Sequence, residues 1–170
     1  MIKILLLALA AVSLTACTTI EAPRPAGALR VAPRAVTAEP DRYLGSLVQW
    51  GGKIIATYNR ARGSELEVLA YPLDRHGKPR TDAQPEGRFL LVSRAFLDPL
   101  EYASGRLVTA SGRVRGLVEA RVGAARHAYP RLDADSAFLW PRQETSLSPR
   151  PTIHLGIGSG GAWGGIGIGF

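Results

Sequence analysis

The residue best suited to covalent chemistry in this sequence is Cys17, the only cysteine among 170 residues. A thiolate is a nucleophile that can form a thioether or a disulfide. Because there is no second cysteine to pair with it, a disulfide within the chain is excluded. A lone thiol in an exported protein would be either a free reactive group or an intermolecular bridge, unless another reaction consumes it. The residues around Cys17 therefore decide its chemistry.

The residues before Cys17 have the three parts of a secretory signal peptide. Lys3 provides the positive charge, residues 4–12 form an apolar core, and residues 13–16 place small side chains before the cysteine. The core has about nine residues, whereas a membrane-spanning helix needs about 20. We therefore expect a signal for export and not a permanent membrane span.

The tetrapeptide that ends at Cys17, Leu-Thr-Ala-Cys, resembles the bacterial lipobox. This resemblance implies that the Cys17 thiol takes up diacylglycerol, that signal peptidase II cuts between Ala16 and Cys17, and that the new amine is acylated. Each buried methylene contributes about 0.8 kcal/mol, so three acyl chains give lasting attachment. Thr18 stands where Asp would favour inner-membrane retention. We expect an outer-membrane, lipid-anchored protein on the periplasmic face, with no cofactor besides its acyl chains.

The other chemically capable side chains form no catalytic constellation, and we expect no enzymatic activity. His76, His127 and His154 lie far apart in the sequence, so no metal site is predicted. Glu65 and Glu67 alternate along one predicted strand, which is typical of an edge that faces solvent. The serines lack the Gly-x-Ser-x-Gly turn of a hydrolase nucleophile.

The net charge is +7, and removal of Lys3 with the signal would leave +6. Most of the positive charge is arginine without a dense block, which favours acidic partners such as lipid A phosphates or anionic phospholipid headgroups. A solvated surface in an arginine-rich proteome would explain the same balance. The expected compartment argues against nucleic acid as a partner.

Apolar alternation with a period of two, together with a near-continuous apolar run at 88–93, predicts five strands. They cover residues 47–57, 64–71, 88–93, 107–115 and 121–132, with a further apolar segment at 138–140. Asp98 and Pro99 predict the start of a short helix that ends before Gly105, and residues 37–44 predict a helical turn. The pair Gly51 and Gly52 predicts a bulge or a sharp bend in the first strand.

Five strands with a helix between the third and the fourth have the order of an OB-type barrel. A six-stranded meander barrel would give much the same pattern. The predicted fold class is therefore all-β with one or two short helices, as a small OB-like Greek-key β-barrel of five to six strands.

A possible ligand face combines one aromatic residue with three arginines. Trp50 lies on the inward face of the first strand, where tryptophan is more often core, but it could stack on sugar rings or bases. Arg88, Arg106 and Arg113 flank strand ends, where they could bind phosphate or form surface salt bridges. The hypothetical ligand is an anionic glycan or lipid, such as peptidoglycan or lipopolysaccharide.

The chain resembles the starvation-inducible outer-membrane lipoprotein (Slp) family. Besides the lipobox, the resemblance rests on stretches at 48–52, 67–69, 72–73, 87–89, 96–99, 105–106, 108–112, 129–130 and 139–140. It implies an outer-membrane lipoprotein linked to stationary phase or stress. For such a protein we expect envelope maintenance through contact with lipid, lipopolysaccharide, peptidoglycan or another envelope protein. The resemblance implies no established enzymatic activity and supplies no catalytic residues.

These observations divide the chain into four parts. Residues 1–16 are the predicted lipoprotein signal peptide, and residues 17–40 are the lipidated Cys with a disordered Pro-rich tether. Residues 41–141 are the Slp-like β-barrel domain, and residues 142–170 are a Pro/Gly-rich C-terminal tail. The tail alternates Ile with Gly around Trp163, so both a flexible tail and a strand or hairpin remain open.

Overall fold

The computed structural model describes residues 20–122, 125–142, 151–158 and 161–168. Two short helices come first, α1 (Pro33–Ala38) and α2 (Pro40–Tyr43). The strands are β1 (Leu47–Arg60), β2 (Gly63–Ala70), β3 (Arg88–Ser93), β4 (Leu107–Val122), β5 (Ala125–Leu139), β6 (Pro151–Gly158) and β7 (Gly161–Ile168).

The first five strands close into a barrel in the order β1-β2-β3-β5-β4. All neighbouring pairs are antiparallel except β3 and β5, which pair in parallel over three residues each, from Leu90 opposite Arg131 to Val92 opposite Asp133. This is the strand order of a five-stranded OB-type Greek-key barrel. The predicted all-β class and the OB-like barrel are confirmed.

The barrel interior is formed by the alternate residues that the sequence pattern places inward. On β2, Leu66 and Val68 are fully buried, while Glu65 and Glu67, which alternate with them, are partly exposed. Phe89 and Leu91 on β3 and Val108 on β4 are equally buried. The period-two pattern correctly predicts these faces because successive side chains of a strand point to opposite sides of the sheet.

The predicted bend in β1 lies where this strand changes partners. Gly52 pairs with Ala70 of β2 and also with Val108 of β4. A Cβ atom on Gly52 would lie 1.9 Å from the carbonyl oxygen of Leu69, so only glycine permits this close approach. The shift in β1–β2 register falls a few residues later, between Ile54 and Ala56.

The prediction of a disordered tether is wrong for its described part, residues 20–40. Gln49 Nε2 donates hydrogen bonds to the carbonyl oxygens of Ala22 (2.9 Å) and Pro23 (3.1 Å). Trp50 Nε1 donates to the carbonyl oxygen of Val31 at 2.7 Å. Val36 of α1 is fully buried in the core. The segment is ordered by side chains of β1, which no local pattern within the segment could reveal.

The prediction of a helix that starts at Asp98 is also wrong. Residues 94–106 form turns, although the Asp98 carboxylate accepts a hydrogen bond from the Leu100 amide at 2.8 Å, as an N-cap would. One turn forms and ends, because a segment this short gains too few hydrogen bonds to offset helix nucleation. The helical turn predicted near residue 40 is confirmed as α2.

The predicted fifth strand has the wrong limits. Residues 121 and 122 still belong to β4, and β5 runs from Ala125 to Leu139, so it includes most of the separate apolar segment predicted at 138–140. Over residues 151–158 and 161–168 of the C-terminal tail, two strands form a hairpin. The strands β6 and β7 pair antiparallel from Pro151 opposite Ile168 to Gly158 opposite Gly161.

Candidate functional site

Trp50 does not form part of a ligand face. Its side chain belongs to the core with 4% exposure, and its ring lies 5.2 Å from the ring of Phe89. The indole N–H is already bonded to the carbonyl oxygen of Val31. A sugar or base therefore has no open ring face on which to stack, and the core alternative for Trp50 is the correct one.

The three predicted arginines lie in separate places and serve structural contacts. Arg88 pairs with the Glu67 carboxylate across β2 and β3. Arg106 donates to the carbonyl oxygens of Glu101 (2.9 Å) and Trp140 (2.8 Å), which ties the β3–β4 connection to the end of β5. Arg113 donates to the carbonyl oxygen of Gly45 at 2.9 Å. The structure does not bring these residues together with Trp50.

The Arg88–Glu67 pair lies beside the buried ring of Tyr129. The hydrogen bond to Glu67 raises the pKa of Arg88, so this guanidinium stays charged and committed to its partner. Burial raises the pKa of Tyr129, and the Glu67 charge adds to the effect while Arg88 opposes it. The Tyr129 hydroxyl is buried without a hydrogen-bond partner among the described residues. The group is a structural contact between three strands.

This environment predicts how Tyr129→Phe affects stability at high pH. Since the unfolded chain ionises tyrosine near its ordinary pKa of 10.0 and the folded chain resists ionisation, wild-type stability should fall as the pH rises above about 10. Tyr129→Phe should reduce that fall and change the free energy of unfolding by less than about 1 kcal/mol at pH 7. Urea denaturation at pH 7, 9 and 11 measures both effects. If the wild type and Tyr129→Phe lost the same free energy of unfolding between pH 7 and pH 11, the prediction would be contradicted.

A large concave surface among the described residues lies at one end of the barrel and is rich in arginine. It is a cleft of about 910 Å³ between the tip of the β1–β2 hairpin, the end of β3 and the middle of the β4–β5 ribbon. We call it the basic cleft; its charged lining residues are Arg60, Arg62, Arg94, Arg113, Arg115, Arg131, Glu65, Asp133 and Asp135. It opens here because β3 stops pairing with β5 at Val92, while β5 continues along β4.

Six arginines face three carboxylates in the basic cleft, which gives a formal excess of three positive charges. Asp133 is shared, with Arg131 at 2.8 Å and Arg115 at 3.4 Å. Arg62 and Arg94 are exposed and make no hydrogen bond or ion pair with the described part of the chain. The cleft therefore has guanidinium groups available for an external anion.

The opposite end of the barrel receives the N-terminal segment. The Ala22 amide donates to the carbonyl oxygen of His76 at 2.9 Å, in the connection between β2 and β3. Thr109 donates to the carbonyl oxygen of Gly77 (2.7 Å) and accepts from Trp140 Nε1 (2.9 Å). We call this surface the proximal end, because the described chain enters here at Ile20. Cys17 and Ala16, the predicted lipidation and cleavage positions, lie outside the described residues.

His76 and His127 lie in different parts of the fold. His76 contacts the Glu21 carboxylate at 2.8 Å at the proximal end, and His127 stacks on Tyr129 with 6.4 Å between ring centroids. Over the ranges that the structure covers, no group of three or more His, Cys, Asp or Glu side chains could hold a metal ion. In those same ranges, no helix has the length and apolarity to cross a membrane.

Comparison with known proteins decides the family. Residues 14–163 match the outer membrane lipoprotein Slp family. The chain belongs to the Slp family. Members of this family are outer-membrane lipoproteins, so the predicted family and the outer-membrane location are confirmed.

Three relatives show how far the similarity extends. The uncharacterized lipoprotein YeaY of Escherichia coli is 27% identical over 128 residues, which is 75% of this chain and 66% of the relative. The outer membrane protein Slp of Escherichia coli is 29% identical over 110 residues, or 65% of this chain and 58% of Slp. An uncharacterized protein of Haemophilus influenzae is 31% identical over 99 residues, which is 58% of this chain and 54% of the relative. The match thus spans less than two thirds of each relative's length. No solved structure matches the chain.

In this Slp-family chain, the stretches that carry the resemblance serve the fold. Gln49 and Trp50 hold the N-terminal segment, and Glu67, Arg88 and Tyr129 form the contact between strands. The basic cleft was missed by sequence reasoning, apart from Arg113. Arg113 and Arg115 flank the buried Val114, so their shared outward face could have been found from the alternation alone.

Proposed function

We propose that this Slp-family protein is a non-enzymatic lipoprotein that faces the periplasm and supports envelope maintenance in stationary phase or stress. Its acyl chains, attached to Cys17, are the only non-protein groups that the proposal requires. The barrel acts by contact with another component of the envelope. Family membership supports the lipoprotein character, and the docking of the N-terminal segment on the barrel supports a placement in which the proximal end lies next to the membrane.

The docking of Ala22 is the observation that indicates which end of the barrel lies next to the membrane. Because the chain is packed on the barrel from Ala22 onward, only a short segment separates Cys17 from the proximal end. The three residue steps from Cys17 to Ile20 span at most about 11 Å when fully extended. A lipidated Cys17 would therefore hold the proximal end close to the membrane surface. The distant end, with the basic cleft, would project away from it.

Protease accessibility tests the periplasmic orientation. In intact cells, proteinase K should leave the protein undigested, because the outer membrane separates the barrel from the medium. After selective permeabilisation of the outer membrane, the protease should digest it, as it digests a periplasmic control protein. Immunoblots with antibody against the barrel report both states. Digestion in intact cells would show that the barrel faces the cell exterior and would overturn the proposal.

A further inference from the structure

We propose that the basic cleft binds the stem-peptide carboxylates of peptidoglycan, so that the lipoprotein links the outer membrane to the cell wall. This inference rests on the periplasmic orientation proposed above. It concerns a different surface from the one predicted around Trp50, because Trp50 is buried in the core.

The first argument is the unbalanced charge of the cleft. Arg62 and Arg94 are exposed at its rim without partners among the described residues. Arg113 uses one nitrogen on the carbonyl oxygen of Gly45, and Arg115 has only a 3.4 Å contact with the shared Asp133. A guanidinium can bind a carboxylate through two parallel hydrogen bonds. Several such forks in one cleft fit a ligand that carries several carboxylates.

The second argument is the size and openness of the cleft. A volume of about 910 Å³ is much larger than a single inorganic anion needs. The lining comes from the β1–β2 tip, the end of β3 and the β4–β5 ribbon, so the cleft is bounded by separate elements and not by one loop. A segment of a glycopeptide polymer can lie in it and contact arginines on both sides.

The third argument is the distance from the membrane anchor. The strand β2 begins at the basic cleft with Gly63 and ends with Ala70, before the connection that holds Ala22. Eight residues of strand span about 25 Å. Since the proximal end lies nearest the anchoring leaflet, the part of the cleft at the β1–β2 tip, with Arg62, projects away from that leaflet's headgroups. The polyanion that faces this end of the barrel in the periplasm is the cell wall.

Sedimentation with purified peptidoglycan sacculi tests the proposal, using the mature lipidated protein in detergent. The wild type should co-sediment at low salt and lose binding as the salt concentration rises. The double variant Arg62→Glu/Arg94→Glu should bind at least tenfold more weakly. Sacculi whose carboxylates have been converted to amides should bind the wild type equally weakly.

A matched control changes the same charge elsewhere. The variant Arg30→Glu/Lys53→Glu makes the same change in charge at positions outside the basic cleft. It should bind sacculi within about twofold of wild type, because salt screens the long-range attraction between its remaining charges and the sacculi. If the cleft variant melts at a lower temperature, Arg62→Gln/Arg94→Gln replaces it and should still lose binding.

Three outcomes would overturn the proposal. The first is equal loss of binding in the cleft and control variants, which would show non-specific attraction. The second is undiminished binding to amidated sacculi. The third is binding to lipopolysaccharide micelles without binding to sacculi, which would assign the cleft to a phosphorylated lipid. If any of these occurs while proteinase K still reports a periplasmic barrel, only this inference fails, and the proposed function stands.

Discussion

Replacing Cys17 with alanine should move the protein from the outer-membrane fraction to an unprocessed or mislocalised form. Without the thiol there is no thioether, and without the thioether signal peptidase II does not cut before residue 17. The loss should be nearly complete, because each buried methylene contributes about 0.8 kcal/mol and the variant would lack all three of the proposed acyl chains. Membrane fractionation with an immunoblot for the retained signal peptide measures the effect. The variant should also fail to restore any stationary-phase defect of a deletion strain.

The residue after the cysteine provides matched controls for this prediction. Thr18→Ala should be lipidated and found in the outer membrane like the wild type. Thr18→Asp should be lipidated but retained in the inner membrane in a host with enteric-type sorting. Should Cys17→Ala still fractionate with the outer membrane, the anchor is not at Cys17, and the orientation argued from the short segment before Ile20 loses its basis.

The substitution Gly52→Ala should lower the free energy of unfolding by about 3 kcal/mol, the upper part of the range for overpacking a buried site. The added Cβ would meet the carbonyl oxygen of Leu69 at 1.9 Å, and this atom belongs to backbone that cannot rotate away. Relief requires β1 and β2 to separate where β1 also pairs with β4. Thermal denaturation followed by circular dichroism should show a decrease in Tm of about 10 °C.

Gly27→Ala separates this steric effect from the backbone preference of glycine. Gly27 has a φ of 77°, but a Cβ there would meet nothing within 4 Å. The variant should lose only about 1 kcal/mol, the usual cost of a left-handed conformation for alanine. If Gly52→Ala proves no less stable than Gly27→Ala, β1 and β2 do not approach as closely as described.

The sequence predicts the barrel strands well because their information is local. Residues 88–93 contain a nearly continuous apolar run, and the limits predicted from it equal those of β3. The inward positions on β2 follow from apolar alternation, since the pleat alone fixes which side chains share a face. The short Asp98 segment shows the limit of such signals. Its N-cap forms as predicted, but the helix does not continue.

The N-terminal segment shows what local patterns miss. Its prolines and lack of periodicity predict a tether, yet Gln49 and Trp50 hold it against the barrel from about 20 to 27 residues away in sequence. Hydrogen bonds between side chains and distant backbone leave no periodic signature in either partner. This packing changes the expected reach of the domain, because a long flexible tether is replaced by a few residues after Cys17.

The sequence by itself determined the barrel class, the inward faces of its strands and membership of the Slp family, and it predicts the lipidation of Cys17. These properties depend on residue types at short, regular spacing. Only the tertiary structure decided that Trp50 is core and that Arg88, Arg106 and Arg113 do not meet. It also brought Arg62, Arg94 and Arg115 into one cleft, because barrel closure joins residues that are far apart along the chain.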